Sequence, residues 1–156
     1  MQHRLRQIWS WILYASLLLA TGIGTSAGQS ARTADGMTVY LGVVPAEIVQ
    51  QRYEKGTPEA EMHGGTATQA DRYHVMVSLF DSATGARIED ADVVAAVSPV
   101  GLGASQGTLE PMAIGDTITY GAYFRMPQAG DYTLEVEIRR PGVSDATSIR
   151  FQYQRP

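Results

Sequence analysis

Arg72-Tyr73-His74-Val75-Met76-Val77-Ser78-Leu79-Phe80 sets the period of the chain. Tyr73, Val75, Val77 and Leu79 take every second position, and His74, Met76, Ser78 and Phe80 fill the places between. A period of two belongs to a strand, whose side chains leave alternate faces, and β-branched and aromatic residues suit its pleated surface. This segment therefore predicts one core face and one face of a different character.

The same period returns on both sides of it. Met37 to Val44 is β-branched and apolar and ends at Pro45, a residue without a backbone donor. After the turn at Asp81 to Gly85, Ala91 to Ser98 is another apolar strand before Pro99 and the glycines of 101 to 107. Thr117 to Met126 places Ile118, Tyr120, Ala122 and Phe124 together, with Thr119 facing the other way. Tyr132, Leu134, Val136 and Ile138 alternate within Asp131 to Arg139, and Ile149, Phe151 and Tyr153 line a last strand beyond the turn at Pro141-Gly142. Only Ala46 to Tyr53 suits a short helical turn, and residues 54 to 70, rich in Gly, Thr, Pro and charge, read as a long loop. Short strands punctuated in this way predict an all-β chain, an immunoglobulin-like antiparallel β-sandwich over residues 37 to 156, with a small barrel as the alternative.

The first 27 residues have the three parts of a cleaved signal peptide: a basic start with Arg4 and Arg6, an apolar run from Ile8 to Ala20, and small residues up to Ala27. Cleavage after Ala27 predicts a periplasmic protein with a flexible mature N-terminus over 28 to 36 and no direct membrane insertion. The remaining 129 residues hold 10 basic and 16 acidic side chains, a formal charge of −6, which argues against nucleic acid as a partner. Cysteine is absent, so neither a disulfide framework nor a lipoprotein anchor is available. No nucleophile, phosphate-loop or metalloprotease motif is present, and Glu135 and Glu137 sit on a polar strand face, so an enzyme is not expected.

Histidine and methionine carry the remaining chemistry. His74 and Met76 are two apart on one strand, so both leave the same face with Cβ atoms about 7 Å apart. Imidazole with thioether is a copper-type ligand pair, since soft sulfur favours Cu(I) and imidazole serves either oxidation state. Met62-His63 places a second such pair in the glycine-rich loop. The plain alternative is that His74 is a surface or hydrogen-bonded residue and the methionines fill the core. Met126 and Met37 are assigned to packing.

With these residues in view, the chain resembles the immunoglobulin-like periplasmic copper-binding proteins that accompany bacterial high-affinity iron permeases, over roughly Met37 to Pro141. That family has an early strand ending near a proline, a strand with His-x-Glu, and a Met-Pro-Met segment followed by His-Tyr-Gly. This chain has Met37 to Pro45, His74-Val75-Met76, and Glu110-Pro111-Met112 followed by Thr119-Tyr120-Gly121. The resemblance implies that His74 and Met112 are metal ligands, with Met76 in place of a glutamate and Thr119 in place of a second histidine. It implies copper at His74, Met76, Met112 and His63, and a softer site than the family's. It also implies a role supporting metal or iron transport beside a membrane permease or other envelope protein, and a homodimer. No histidine-rich segment follows Pro141 to match the family's further ligands. The competing expectation is a metal-free interaction or assembly module of an envelope complex, since a shared fold does not fix function.

Overall fold

The computed structural model describes residues 28–52 and 71–156. The expected signal peptide, and His63 with Met62 in the expected loop, lie outside them. Eight strands and one short helix follow in order: β1 (Gly28–Ala34), β2 (Met37–Pro45), α1 (Ala46–Arg52), β3 (Arg72–Asp81), β4 (Asp92–Pro99), β5 (Ser105–Ile114), β6 (Thr117–Arg125), β7 (Gly130–Arg139) and β8 (Thr147–Arg155). All pairings are antiparallel, in the order β1-β2-β3-β6-β5-β4-β7-β8. The architecture is the expected immunoglobulin-like sandwich, nearly closed like a barrel.

β5 makes the corner. Its first half, Ser105 to Leu109, pairs with β4, and its second half, Glu110 to Ile114, pairs with β6. One sheet thus holds β1, β2, β3, β6 and the second half of β5, and the other holds the first half of β5 with β4, β7 and β8. Pro111 is tolerated because β4 no longer runs beside it, so its missing N–H leaves no ladder bond unmade on that side.

Alternation builds the core. Val39, Leu41 and Val43 from β2 and Val75, Val77 and Leu79 from β3 meet Val93, Ala95 and Val97 from β4 and Leu134, Val136 and Ile138 from β7, all buried. Full burial of each larger aliphatic side chain is worth about 1.5–3 kcal/mol. Met37 and Met126 are core residues, as their positions predict. The Gln128 to Tyr132 stretch closes a tyrosine corner: the Tyr132 hydroxyl donates to the Gln128 carbonyl at 2.9 Å and accepts from its N–H at 3.2 Å, fixing the crossing into β7.

Two segments depart from the sequence reading. Residues 28 to 34, expected to be a flexible start, form β1, which pairs along β2 through a tight turn with positive φ at Asp35 (47°) and Gly36 (73°). These are the angles an Asp-Gly hairpin turn requires. Ser105 to Gly107, expected to continue a glycine loop, begin β5.

Candidate metal centre

The registers of β2, β3, β6 and β5 lay three rows across the outward face of one sheet. Val44, His74 and Tyr123 form the first; Gly42, Met76, Gly121 and Glu110 the second; Tyr40 with Ser78, and Thr119 with Met112, the third. Residues directly opposite on antiparallel strands share a face, and diagonal neighbours remain within reach of long side chains. Glycine at 121 opens the middle of this array.

His74 and Met112 lean into that opening from either side. A Cβ placed on Gly121 would stand 2.8 Å from His74 Nε2 and 3.0 Å from Met112 Sδ, and closer still to the Met112 methyl. The imidazole nitrogen and the sulfur are therefore separated by no more than those distances laid end to end, about 6 Å. A metal ion bonding each at roughly 2 to 2.4 Å needs only a small further closure, which a flexible methionine supplies. Both side chains are buried although they face away from the sandwich core, His74 being 3% and Met112 7% exposed.

The imidazole is held in place by its neighbours. Tyr123 stacks on it with ring centroids 4.6 Å apart and planes at 26°, and the Arg72 guanidinium lies 5.3 Å from the centre of the Tyr123 ring. Both ends of β3 are tied down by carboxylates. Asp71, just before the strand, accepts from Arg125 Nη2 at 2.6 Å and Nε at 2.9 Å, which holds its carboxyl below the usual range. Asp81 at the other end accepts from the Thr84 hydroxyl at 2.7 Å and the backbone N–H groups of Thr84 and Ala83, with the same effect.

Of the residues singled out from sequence, His74 and Met112 come together. Met76 lies on the same face, but its methyl is beside Gly42, 3.5 Å from where a Cβ would stand there, so its thioether leans to the far flank. Thr119, which takes the place of a family histidine, sits directly opposite Met112 and shares a 3.2 Å hydrogen bond with the Ser78 hydroxyl. Gly121, Gly42 and Tyr123 are parts of this arrangement that ligand spacing did not single out. The Tyr120-Gly121 pair stood within the motif, but the reason for its glycine is a contact between strands. Among the described residues no three His, Cys, Asp or Glu side chains group as a metal site, so a centre built from the described residues alone draws on thioether.

The donor set fits a soft ion. Imidazole and thioether are neutral, bind copper well, and offer little to Fe³⁺ or Ca²⁺, which take oxygen ligands. Among the described residues no helix is long and apolar enough to cross a membrane.

Comparison with known proteins agrees with this setting. The model of the Fe2+ transport protein family matches residues 35–151. No curated protein matches the sequence. Solved structures that resemble the fold include a DUF4426-family protein from Pseudomonas aeruginosa, at 15% identity and a TM-score of 0.61, covering 81% of this chain and 94% of that one. A copper-bound variant of FetP from uropathogenic Escherichia coli aligns at 14% identity and a TM-score of 0.60, over 81% of this chain and 93% of that one. The copper-reconstituted P19 protein from Campylobacter jejuni aligns at 16% identity and a TM-score of 0.57, over 81% and 92%. At these identities the likeness is one of fold.

Proposed function

Because this chain belongs to the Fe2+ transport protein family, we propose that it is a periplasmic copper-binding protein supporting metal or iron transport or delivery at the cell envelope. The observation that carries this reading is the convergence of His74 Nε2 and Met112 Sδ over the bare backbone of Gly121. His74 and Met112 are the primary ligands. Met76 is a third donor when its thioether turns from Gly42 toward Gly121, and His63 supplies a second imidazole from the loop. Copper-bound relatives of the same fold support the choice of ion.

The chain binds and presents a metal rather than transforming a substrate. When bound, copper would supply an exchangeable ion for which two oxidation states are accessible. Tyr123 keeps the imidazole plane aimed at the opening, and Gly121 keeps a side chain out of the space an ion needs. The neutral methionine permits binding without a large accumulation of charge. A membrane permease or other envelope protein is the partner that receives or directs the metal, and a homodimer is its expected assembly.

Equilibrium competition between purified protein and a Cu(I) chelator tests the reading. Wild type retains one equivalent of copper, and Met112→Leu retains it at least tenfold more weakly. No copper retained by wild type would leave the metal-free assembly module as the better account. Mass analysis of the exported protein checks the location, with a mature chain starting at or near Gly28 as the expected result.

A further inference from the structure

Glu110 stands in the same cross-strand row as the cradle. Gly121 has Met76 opposite it on β3 and Glu110 opposite it on β5, so the two residues flank it on the same face. Opposed residues on antiparallel strands are about 5 Å apart, so a glutamate turned across the pair brings its carboxylate most of the way to the facing strand. Glu110 leaves β5 on the side from which Met112, two residues on, sends its sulfur over Gly121.

The two β5 residues differ in exposure. Met112 is buried and Glu110 is exposed, so this side of β5 runs from a buried thioether to a solvated carboxylate residue two positions away. Among the described residues the ion pairs are Asp71–Arg125, Glu137–Arg139 and Glu135–Arg150, and Glu110 belongs to none of them. It is also the only carboxylate among the described strand residues that the registers place on this face of β2, β3, β6 and β5.

We propose that Glu110 is a ligand to the ion held by His74 and Met112 and gives the site its hold on Cu(II). The inference rests on the copper-binding reading above. Thioether favours Cu(I), whereas an anionic oxygen with an imidazole stabilises the more highly charged, harder ion. Met76 on one flank and Glu110 on the other make a soft side and a hard side to a single cradle. The carboxylate that is missing from position 76 in the resemblance is provided across Gly121, from the neighbouring strand.

Cu(II) affinity, measured by competition with an amino-acid chelator and by the electron paramagnetic resonance spectrum, is compared with Cu(I) affinity for wild type and Glu110→Gln. The expected result is at least a tenfold loss of Cu(II) affinity with an altered spectrum, while Cu(I) affinity stays within twofold. Adding Met76→Glu to Glu110→Gln restores Cu(II) affinity, because a carboxylate again flanks Gly121. If wild type binds copper and Glu110→Gln leaves both the Cu(II) affinity and the spectrum unchanged, Glu110 is not a ligand and the copper reading stands. If wild type binds no copper in either state, both fall together.

Discussion

The two sheets of the sandwich turn very different faces outward. On β7 and β8 the outward residues are Thr133, Glu135, Glu137, Arg139, Ser148, Arg150 and Gln152, joined by ion pairs of 2.7 Å between Arg139 and Glu137 and 3.6 Å between Arg150 and Glu135. All are solvated, and the Ser148 hydroxyl donates to Glu135 at 2.9 Å. On β3, β6 and β5 the corresponding face carries His74, Thr119 and Met112, all buried, around a bare glycine. A solvated face satisfies its polar groups with water and neighbouring charges, and each such pair contributes little. Burying an imidazole and a thioether on either side of one glycine, away from the sandwich core, serves no such end. The proposed copper site falls on the β3-β6-β5 face, and the β7-β8 face has the make-up of ordinary surface.

Gly121→Ala tests that contrast most sharply. Its methyl would stand 2.8 Å from His74 Nε2, and although Met112 can swing aside, the imidazole is pinned by Tyr123. Copper affinity is expected to fall by about 100-fold, roughly 2.7 kcal/mol, with the strand content of the circular dichroism spectrum retained. An unchanged affinity would mean that the opening over Gly121 is not where the ion sits. Tyr123→Leu removes the ring that orients the imidazole while leaving both donors, and copper affinity measured by the same competition is expected to fall about tenfold, as for other supporting residues around metals. Glu135→Gln on the opposite face is the control. It should change the unfolding free energy by less than about 1 kcal/mol and leave copper affinity untouched.

The two ends of β3 each carry a carboxylate whose contribution to stability depends on pH. Asp71 and Asp81 both have carboxyls held below their ordinary range, by Arg125 and by the hydrogen bonds of the Thr84 turn. Groups depressed on folding lend stability above their unfolded value near 4, and this is lost as pH falls through the lower folded value. Thermal unfolding measured from pH 6 down to pH 3 should show wild type losing more of its midpoint than Asp71→Asn. Equal losses would show that the Arg125 pair does not secure that end of the strand.

Much of this was legible in the sequence because alternation is local. Tyr73 to Phe80 announces both faces of β3, and the core partners on β4, β6 and β7 follow from the same period. His74 and Met112 were legible through motif resemblance, since no property of either residue alone reveals that β6 brings them together. β5 was missed because it changes sheets at Leu109–Glu110, which breaks any single alternation along it. β1 was missed because Gly28 to Ala34 has weak strand propensity and gains its order from β2, though Asp35-Gly36 was a usable hairpin signal. Glu110 was named within the Glu110-Pro111-Met112 motif, but its place beside Gly121 is a matter of register, which sequence spacing does not state.

The ligands also reach the cradle on different schedules. β5 and β6 are joined by a tight hairpin at Ile114–Thr117, with Gly115 at a φ of 64°, so Met112 and Gly121 meet through a local closure of the kind that forms within microseconds. His74 arrives only when β3 pairs with β6 across an intervening stretch that includes all of β4 and β5. Such long-range pairing is the slow part of assembling a β protein. In a chain still on its way to the folded state Met112 therefore meets Gly121 before the His74 imidazole joins them, and the proposed pair of donors is assembled only in the finished sandwich. On the proposed reading, metal loading would follow folding.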